Sequence, residues 1–304
     1  MSKVSSFFSL FKRRYNWLLF LIPAVAALIS IVIFPLIFSL SLSFHDWNLI
    51  RQREWTWAGI ENYRTILFVD PYFRSTLKVA LLYLAGTVPL QLGLGLVVAL
   101  VLYQIAKKTI QFLRTVLVIP VTMTPVLVGM IWRLMYNPDL GYLNYFLSWF
   151  GFSPISWTGM PQTALLSVMM ADIWEWTPFA ALILLAGLQS LPQEPFEAAL
   201  VDGASSWQTF RYVTLPLLSP AMLVVLLIRM IDSFKTFDLI FVLTGGGPGL
   251  HTETLNYYTY RYGFKFFHLG YASALSWILV MVVTAISIIL IRILQSRGIY
   301  AEGG

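Results

Sequence analysis

Charged side chains inside otherwise apolar runs are the first residues of this sequence that could do chemistry. Asp172 and Glu175 sit in a run from about Thr163 to Leu188, and Arg229, Asp232, Lys235 and Asp238 in a run from about Leu217 to Leu243. A charge is costly in a lipid interior, so each of these needs a partner or a watery cavity. On a helix, Asp172, Glu175, Trp176 and Phe179 fall within about 100° of one another. Arg229, Asp232, Ser233 and Thr236 share a similar arc, with Lys235 and Asp238 beside it and Met230, Phe234, Phe237 and Phe241 on the other side.

Two readings fit this pattern. In the first the residues form a polar translocation path, with carboxylates and amides bonding hydroxyls and Trp174 or Trp176 stacking on the apolar face of a sugar. The path residues are then Trp174, Glu175, Trp176, Asp232, Lys235, Thr236 and Asp238. In the second, Arg229–Asp232 and Lys235–Asp238, each at i, i+3, neutralise one another and lock the helix to a neighbour. With Arg133 at the end of the third apolar run, four acids face three bases, a near-balance that suggests pairing. An intramembrane aspartyl protease would need Gly-x-Gly-Asp, which accompanies neither acid.

The elements that must position these residues are membrane spans. Of the 304 residues 58% are hydrophobic and only 11% charged, with mean hydropathy +0.75. A soluble domain carries about a quarter charged residues, so water is not the main solvent here. There are no cysteines, which removes disulfides, thiol catalysis and Cys-based zinc sites. The three histidines, His45, His251 and His268, have no metal-ligand spacing, and no metal is expected. The net charge of +6 is scattered over short loops rather than massed on a face, so nucleic acid is not an expected partner.

Runs of roughly 20 or more mainly apolar residues occur at about Trp17–Phe44, Leu77–Tyr103, Phe112–Met135, Thr163–Leu188, Leu217–Leu243 and Tyr271–Ile293, giving six spans. The first is far longer than a signal-peptide core of about 7–15 residues and lacks a small-residue cleavage site, so it reads as uncleaved. Cationic residues near span ends set the orientation. Lys3, Lys12, Arg13, Arg14, Lys107, Lys108, Arg114, Arg211, Arg292 and Arg297 lie on one side; Arg51, Arg53, Arg64, Arg74, Lys78, Arg261 and Lys265 lie on the other. The first group is larger, which predicts cytoplasmic termini. His45–Thr76, rich in Trp and Arg, reads as an ordered outer cap. Leu143–Phe152 reads as a short interfacial helix, and Thr244-Gly245-Gly246-Gly247-Pro248 as a flexible loop without regular structure. That loop is no phosphate cradle, since no Gly-Lys-Ser/Thr follows, and nothing elsewhere supplies one.

One polar island, Leu191–Pro220, lies between the fourth and fifth runs. Pro195 suits the first turn of a helix, and Phe196, Ala199 and Leu200 give it an apolar face. Gly203 supplies a left-handed stop, and Ser205 with Gln208 a capping box for a second helix carrying Trp207, Phe210 and Arg211. Leu215-Pro216 closes the unit. Exposed carboxylates at Glu194, Glu197 and Asp202 complete an element shaped to lie on a membrane face and be gripped by another protein.

Within it, Glu197-Ala198-Ala199, three residues, Gly203, nine residues and Val213-Thr214-Leu215-Pro216 resemble the EAA loop of binding-protein-dependent ABC importer permeases. The one departure is Val213, where that pattern has Ile. Phe237-Asp238-Leu239-Ile240 leading into Leu243-Thr244-Gly245-Gly246-Gly247-Pro248, together with Gly270-Tyr271-Ala272-Ser273-Ala274 and Ala186-Gly187-Leu188-Gln189-Ser190-Leu191-Pro192, resembles the carbohydrate branch, the maltose and glycerol-3-phosphate type.

The resemblance implies an all-α, six-helix polytopic protein with the type I ABC importer transmembrane fold. A tail, first helix and outer loop would occupy 1–76, the transmembrane domain 77–293 with its coupling loop 191–220, and a tail 294–304. It implies a multi-pass protein of a prokaryotic cytoplasmic membrane, surrounded by lipid, without a nucleotide site or cofactor of its own. Its partners would be a second homologous permease, two cytoplasmic ATPases that bind ATP and Mg, and an extracytoplasmic solute-binding protein. Glu197, Ala198, Ala199, Asp202, Gly203, Leu215 and Pro216 would couple to the ATPase, and Gly245, Gly246, Gly247 and Pro248 would face the binding protein. A rival class is a secondary transporter or channel working alone through Asp172 and Glu175. The sequence tilts toward a neutral sugar as solute, because unpaired Arg or Lys for a phosphate is scarce.

Overall fold

The computed structural model of the chain describes residues 21–51, 54–105 and 107–296. Lys3, Lys12, Arg13, Arg14, Trp17, Arg53 and Arg297 lie outside the described residues, as do the side chains of Lys107 and Lys108, so the charge count that set the orientation is described only in part. The chain forms two compact units, residues 1–66 with 262–277, and residues 67–261 with 278–304.

In the first unit, helix α1 (Leu21–Ser43) is the first apolar run, interrupted by a π-turn at Ile29–Ile33. Two-residue strands β1 (His45–Asp46) and β2 (Thr56–Trp57) then pair antiparallel, a small departure from an all-helical chain. Helix α2 (Glu61–Arg64) follows. Asn62 Nδ2 donates to the carbonyls of Ser43 and His45, both at 2.9 Å, and the Tyr63 hydroxyl donates to Ser43 Oγ at 2.7 Å. His45 stacks on Trp55 and meets Trp57 edge-on. These contacts order the predicted outer cap.

The second unit holds the remaining helices, except that the start of the last one belongs to the first unit. Helix α3 (Pro71–Tyr103) starts earlier than hydropathy places it, because Asp70 caps it by accepting from the Tyr72 N–H at 2.9 Å. The third apolar run is not one straight span. It is α4 (Lys107–Thr122) and α5 (Pro125–Met135), the chain bending by 94° between Thr122 and Pro125. The cause is local: Pro125 pushes Thr124 into extended backbone, and the Thr124 hydroxyl caps α5 by accepting from the Leu127 N–H at 3.4 Å. Helix α6 (Tyr142–Trp149) is the predicted interfacial helix, and α7 (Pro161–Gln189) is the fourth span.

The polar island folds as α8 (Glu194–Val201), a turn with Gly203 at φ +72°, and a second helix whose capping box has both bonds, Ser205 N–H to Gln208 Oε1 and Gln208 N–H to Ser205 Oγ. The apolar face of α8 differs from expectation. Ala199 is buried and Phe196 half-buried, but Leu200 is 79% and Val201 87% exposed. Leu215-Pro216 does not close the unit either. The second helix runs on through a π-turn at Phe210–Thr214 into the fifth span, as one helix, α9 (Ser206–Phe234). In a regular helix the Pro216 ring would meet the carbonyl of Tyr212. The widened turn, in which the Leu215 N–H reaches the Phe210 carbonyl, carries the chain past that clash.

The fifth run breaks where no glycine or proline announces it. Helix α9 ends at Phe234 and α10 (Asp238–Leu243) begins after Phe237, whose φ of −133° is non-helical. Two carbonyls freed by the break are satisfied from further along the chain: Asn256 Nδ2 donates to Lys235 O at 2.6 Å and Thr254 Oγ1 to Thr236 O at 3.3 Å. The glycine loop beyond is held rather than flexible. Thr244 and Thr252 hydroxyls bond at 2.7 Å, Thr252 donates to Gly247 O at 2.8 Å, and Gly246 is buried against the Tyr257 ring. Helix α11 (Leu255–Tyr260) and the last span, α12 (Leu269–Ser296), complete the chain.

Helices α3 and α7 pack in close contact where Gly95 meets Ala180. A Cβ on Gly95 would lie 2.7 Å from Ala180 Cβ and 3.0 Å from the Ala181 amide nitrogen, closer than atoms approach. Gly95→Val is therefore expected to destabilise the unit by about 1–3 kcal/mol, the range of overpacking. A lowered midpoint of thermal unfolding in detergent, with Gly93→Val as the control because Gly93 has open space around it, checks this.

Candidate functional site

The charged residues of α7 and α9 meet across the helices rather than along them. Arg229 on α9 is 1% exposed, and its Nη2 donates to both oxygens of Asp172 on α7 at 3.2 and 3.1 Å. Its Nε donates to Gln91 Oε1 on α3 at 2.8 Å, and Gln91 Nε2 donates in turn to Asp172 Oδ2 at 2.7 Å. The guanidinium also lies over the Trp176 ring, 4.4 Å from its centroid. Three helices are thus joined by a closed ring of charge-assisted hydrogen bonds. The Thr87 and Ser233 hydroxyls add a further α3–α9 contact at 3.4 Å.

Beside this ring is a cavity of about 260 Å³ lined by Asp172, Glu175, Trp176, Asp232, Lys235 and Asp238, with Thr236 and Phe237 from the helix break. Of the seven predicted path residues it gathers six. The seventh, Trp174, points from the other side of α7 into an apolar hollow of about 640 Å³ beside the bend of the third span, where it meets Trp132 edge-on. Phe237, expected on the apolar side of a continuous helix, lines the polar cavity because the chain leaves the helix there. Arg133 is exposed and donates to Val242 O at 3.4 Å, away from the acids.

The predicted pairing along α9 is also different. Arg229 takes Asp172 as its partner, with Asp232 at 4.0 Å, and Lys235 pairs with Asp232 at 3.0 Å, not with Asp238. Asp238 stands in the first turn of α10 and Lys235 at the C-cap of α9, so each charge opposes the partial charge of its own helix end. Glu175 is fully buried, and neither of its carboxylate oxygens has a hydrogen-bond partner. Gln91 is the residue the sequence reading missed. A lone amide in an apolar span was its signal, since such a group is retained only with partners.

The predicted coupling residues stay together at the other end of α9. Glu197, Ala198, Asp202 and Gly203 are exposed, Ala199 is buried beneath them, and a hollow of about 300 Å³ opens between Ala199, Asp202, Gly203 and Tyr212. Leu215 and Pro216 lie inside α9, past the π-turn. Gly245 and Gly249 in the glycine loop are exposed, whereas Gly246 is buried and Gly247 and Pro248 are half-buried.

Spanning helices around a polar cavity, with an exposed helical elbow on the same chain, describe the membrane component of a transport system. Comparison with known proteins specifies which. Residues 91–298 match the family described as "Binding-protein-dependent transport system inner membrane component", and the chain belongs to it. It is 36% identical over 280 residues to the "Trehalose/maltose transport system permease protein MalF" of Thermococcus litoralis, covering 92% of this chain and 93% of that one. It is 39% identical over 269 residues to the "Probable ABC transporter permease protein y4oQ" of Sinorhizobium fredii, covering 88% and 86%. It is 34% identical over 279 residues to the "Sulfoquinovosyl glycerol transport system permease protein SmoG" of Agrobacterium fabrum, covering 92% and 90%. Among solved structures, a chain of a bacterial ABC transporter involved in import of the acidic polysaccharide alginate has the same fold, with TM-score 0.79 and 23% identity over 94% of this chain and 97% of that one. The protein is thus a multi-pass permease subunit of the inner membrane.

The ring around Arg229 generates a prediction. Removing the guanidinium leaves Asp172 buried without its counter-ion, so Arg229→Met is expected to cost about 3–5 kcal/mol. The double change Asp172→Asn with Arg229→Met is expected to recover at least half of that loss. Thermal unfolding midpoints of the single and double variants in detergent give the comparison, and additive losses would contradict the pairing.

Proposed function

We propose that the chain is the transmembrane subunit of an ATP-driven importer and carries a carbohydrate through the cavity between α7 and α9 by alternating access. The observation that carries this reading is mechanical. The polar cavity and the Glu197–Gly203 elbow lie at opposite ends of one helix, α9, whose 29 residues reach about 43 Å at ~1.5 Å each. A partner that grips the elbow moves the cavity wall. The exposed apolar residues Leu200, Val201, Trp207 and Tyr212 around the elbow are what a docking partner would cover.

In this reading α8 sits in a cleft of a cytoplasmic ATPase, a homologous permease completes the transmembrane pair, and an extracytoplasmic binding protein delivers solute to the Gly245–Pro248 side. Both termini are cytoplasmic. Closure of the ATPase pair pulls α8, and α9 with α7 rocks about the cavity. The relatives named for trehalose, maltose and sulfoquinovosyl glycerol support a carbohydrate as solute. The cavity supports it chemically: acceptor oxygens at Glu175, Asp232 and Asp238, the Thr236 hydroxyl and the Trp176 ring are groups that bind a polyhydroxylated ring with an apolar face.

Glu197→Lys and Gly203→Asp are expected to leave the protein inserted and the cavity intact while abolishing ATP-dependent uptake, measured in membrane vesicles that contain the whole transporter. Gly203 is at positive φ, so aspartate also strains the turn. Normal uptake with both variants would contradict the docking role. Uptake that persists without the ATPase and follows an ion gradient would favour a secondary transporter.

A further inference from the structure

The cavity is lined by more carboxyl groups than cationic groups. Its lining includes four carboxylates, Asp172, Glu175, Asp232 and Asp238, and two cations, Arg229 and Lys235. Both cations are engaged. Arg229 has Asp172 and Gln91 on its nitrogens and the Trp176 ring against its face, and Lys235 holds Asp232. Glu175 and Asp238 remain without a counter-ion within salt-bridge reach among the described residues.

Glu175 is the more telling of the two. It is 0% exposed, it lines the cavity, and neither carboxylate oxygen is hydrogen-bonded. A buried acceptor of this kind is costly, and the neighbours that could relieve it are committed elsewhere. What is missing is a donor, and best a cationic one, entering from the cavity. An anionic solute, by contrast, would meet an excess of carboxylates and no uncommitted cation among the described lining residues.

We propose that Glu175 is a specificity-determining residue that selects sugars bearing a protonated amine, so that this permease passes amino sugars and excludes acidic ones. The proposal rests on the reading of the cavity as a carbohydrate path and narrows the substrate class within it. The ammonium bonds Glu175 in a charge-assisted pair, Asp238 adds to the negative potential, and the remaining hydroxyls take Thr236 and Asp232.

The test uses the complete transporter purified in detergent without its binding protein, so that the binding protein's own selectivity is not read. Thermal stabilisation is titrated with glucosamine and glucose, with galactosamine and galactose, and with glucuronic acid. The amine member of each pair is expected to half-saturate at a concentration at least about tenfold lower than its hydroxyl twin, the ratio a hydrogen bond to a charged group carries. Glucuronic acid is expected to be weakest. In Glu175→Gln the half-saturating concentrations of the amine and hydroxyl members of each pair are expected to converge, and Asp238→Asn is expected to reduce their separation without abolishing it. Equal binding of amine and hydroxyl members to the wild type, or an amine preference that survives both substitutions, overturns the proposal and leaves the carbohydrate path standing. If no sugar of the set stabilises the complex, the carbohydrate reading of the cavity falls, and the proposal with it.

Discussion

The structure of the larger unit depends on how one buried guanidinium is compensated. Arg229 lies 1% exposed among apolar helices, where an isolated charge would cost more than the fold can spare. The bonds that relieve it run to Asp172 on α7 and Gln91 on α3, and these fix the rotation of three helices about their axes at once. A helix turned by one residue would swing its member out of reach. The close approach of α3 to α7 at Gly95, one turn from Gln91, brings the amide near enough to close the ring. The ring in turn decides the electrostatics of the neighbouring cavity, because it consumes the strongest cation and leaves carboxylates in excess.

The break between α9 and α10 is the second organising feature. A continuous helix would have buried the Lys235 and Thr236 carbonyls in their own ladder. Here they accept instead from Asn256 and Thr254, and the chain between the two helices lines the cavity. Irregular backbone at membrane depth is tolerated where it borders a watery space and its polar groups find partners. The short polar side chains of Thr254 and Asn256 meet that second condition. The loop that carries them is held by its own threonine bonds.

How much of this was legible in the sequence follows from how local each cause is. The capping box at Ser205–Gln208, the left-handed Gly203 and the short helix near Trp149 depend on neighbouring residues and were readable. So were the membrane-length runs, since hydropathy needs no partner: among the described residues five are helices long enough to cross a membrane, and the third run makes a sixth only as a bent pair. The bend at Thr124 had a visible signal in Pro125 that the length of the apolar run overrode. The break at Lys235–Phe237 had none, because its stabilising groups come from 18 and 21 residues away. The charge pairing was misassigned for a similar reason. Asp232 at i, i+3 looks sufficient for Arg229, and nothing local reveals that Asp172, 57 residues earlier, stands closer. Trp174 shows that the helical arc outranks adjacency in sequence: it neighbours Glu175 but lies outside the arc of Asp172, Glu175 and Trp176, and the cavity takes Trp176 and leaves Trp174 to the apolar hollow.

The unbroken run of α9 from the elbow to the cavity also constrains how this chain can change. A helix is a screw, so one residue inserted or lost between Leu217 and Arg229 would turn the guanidinium by about 100° relative to the elbow. Asp172 would then face a methionine or an isoleucine instead of its counter-ion. The number of residues along this interval is therefore as constrained as the packing of its buried members, Leu218, Leu223 and Val225. The stretch behaves as a gauge block, its length fixed by the geometry at its two ends.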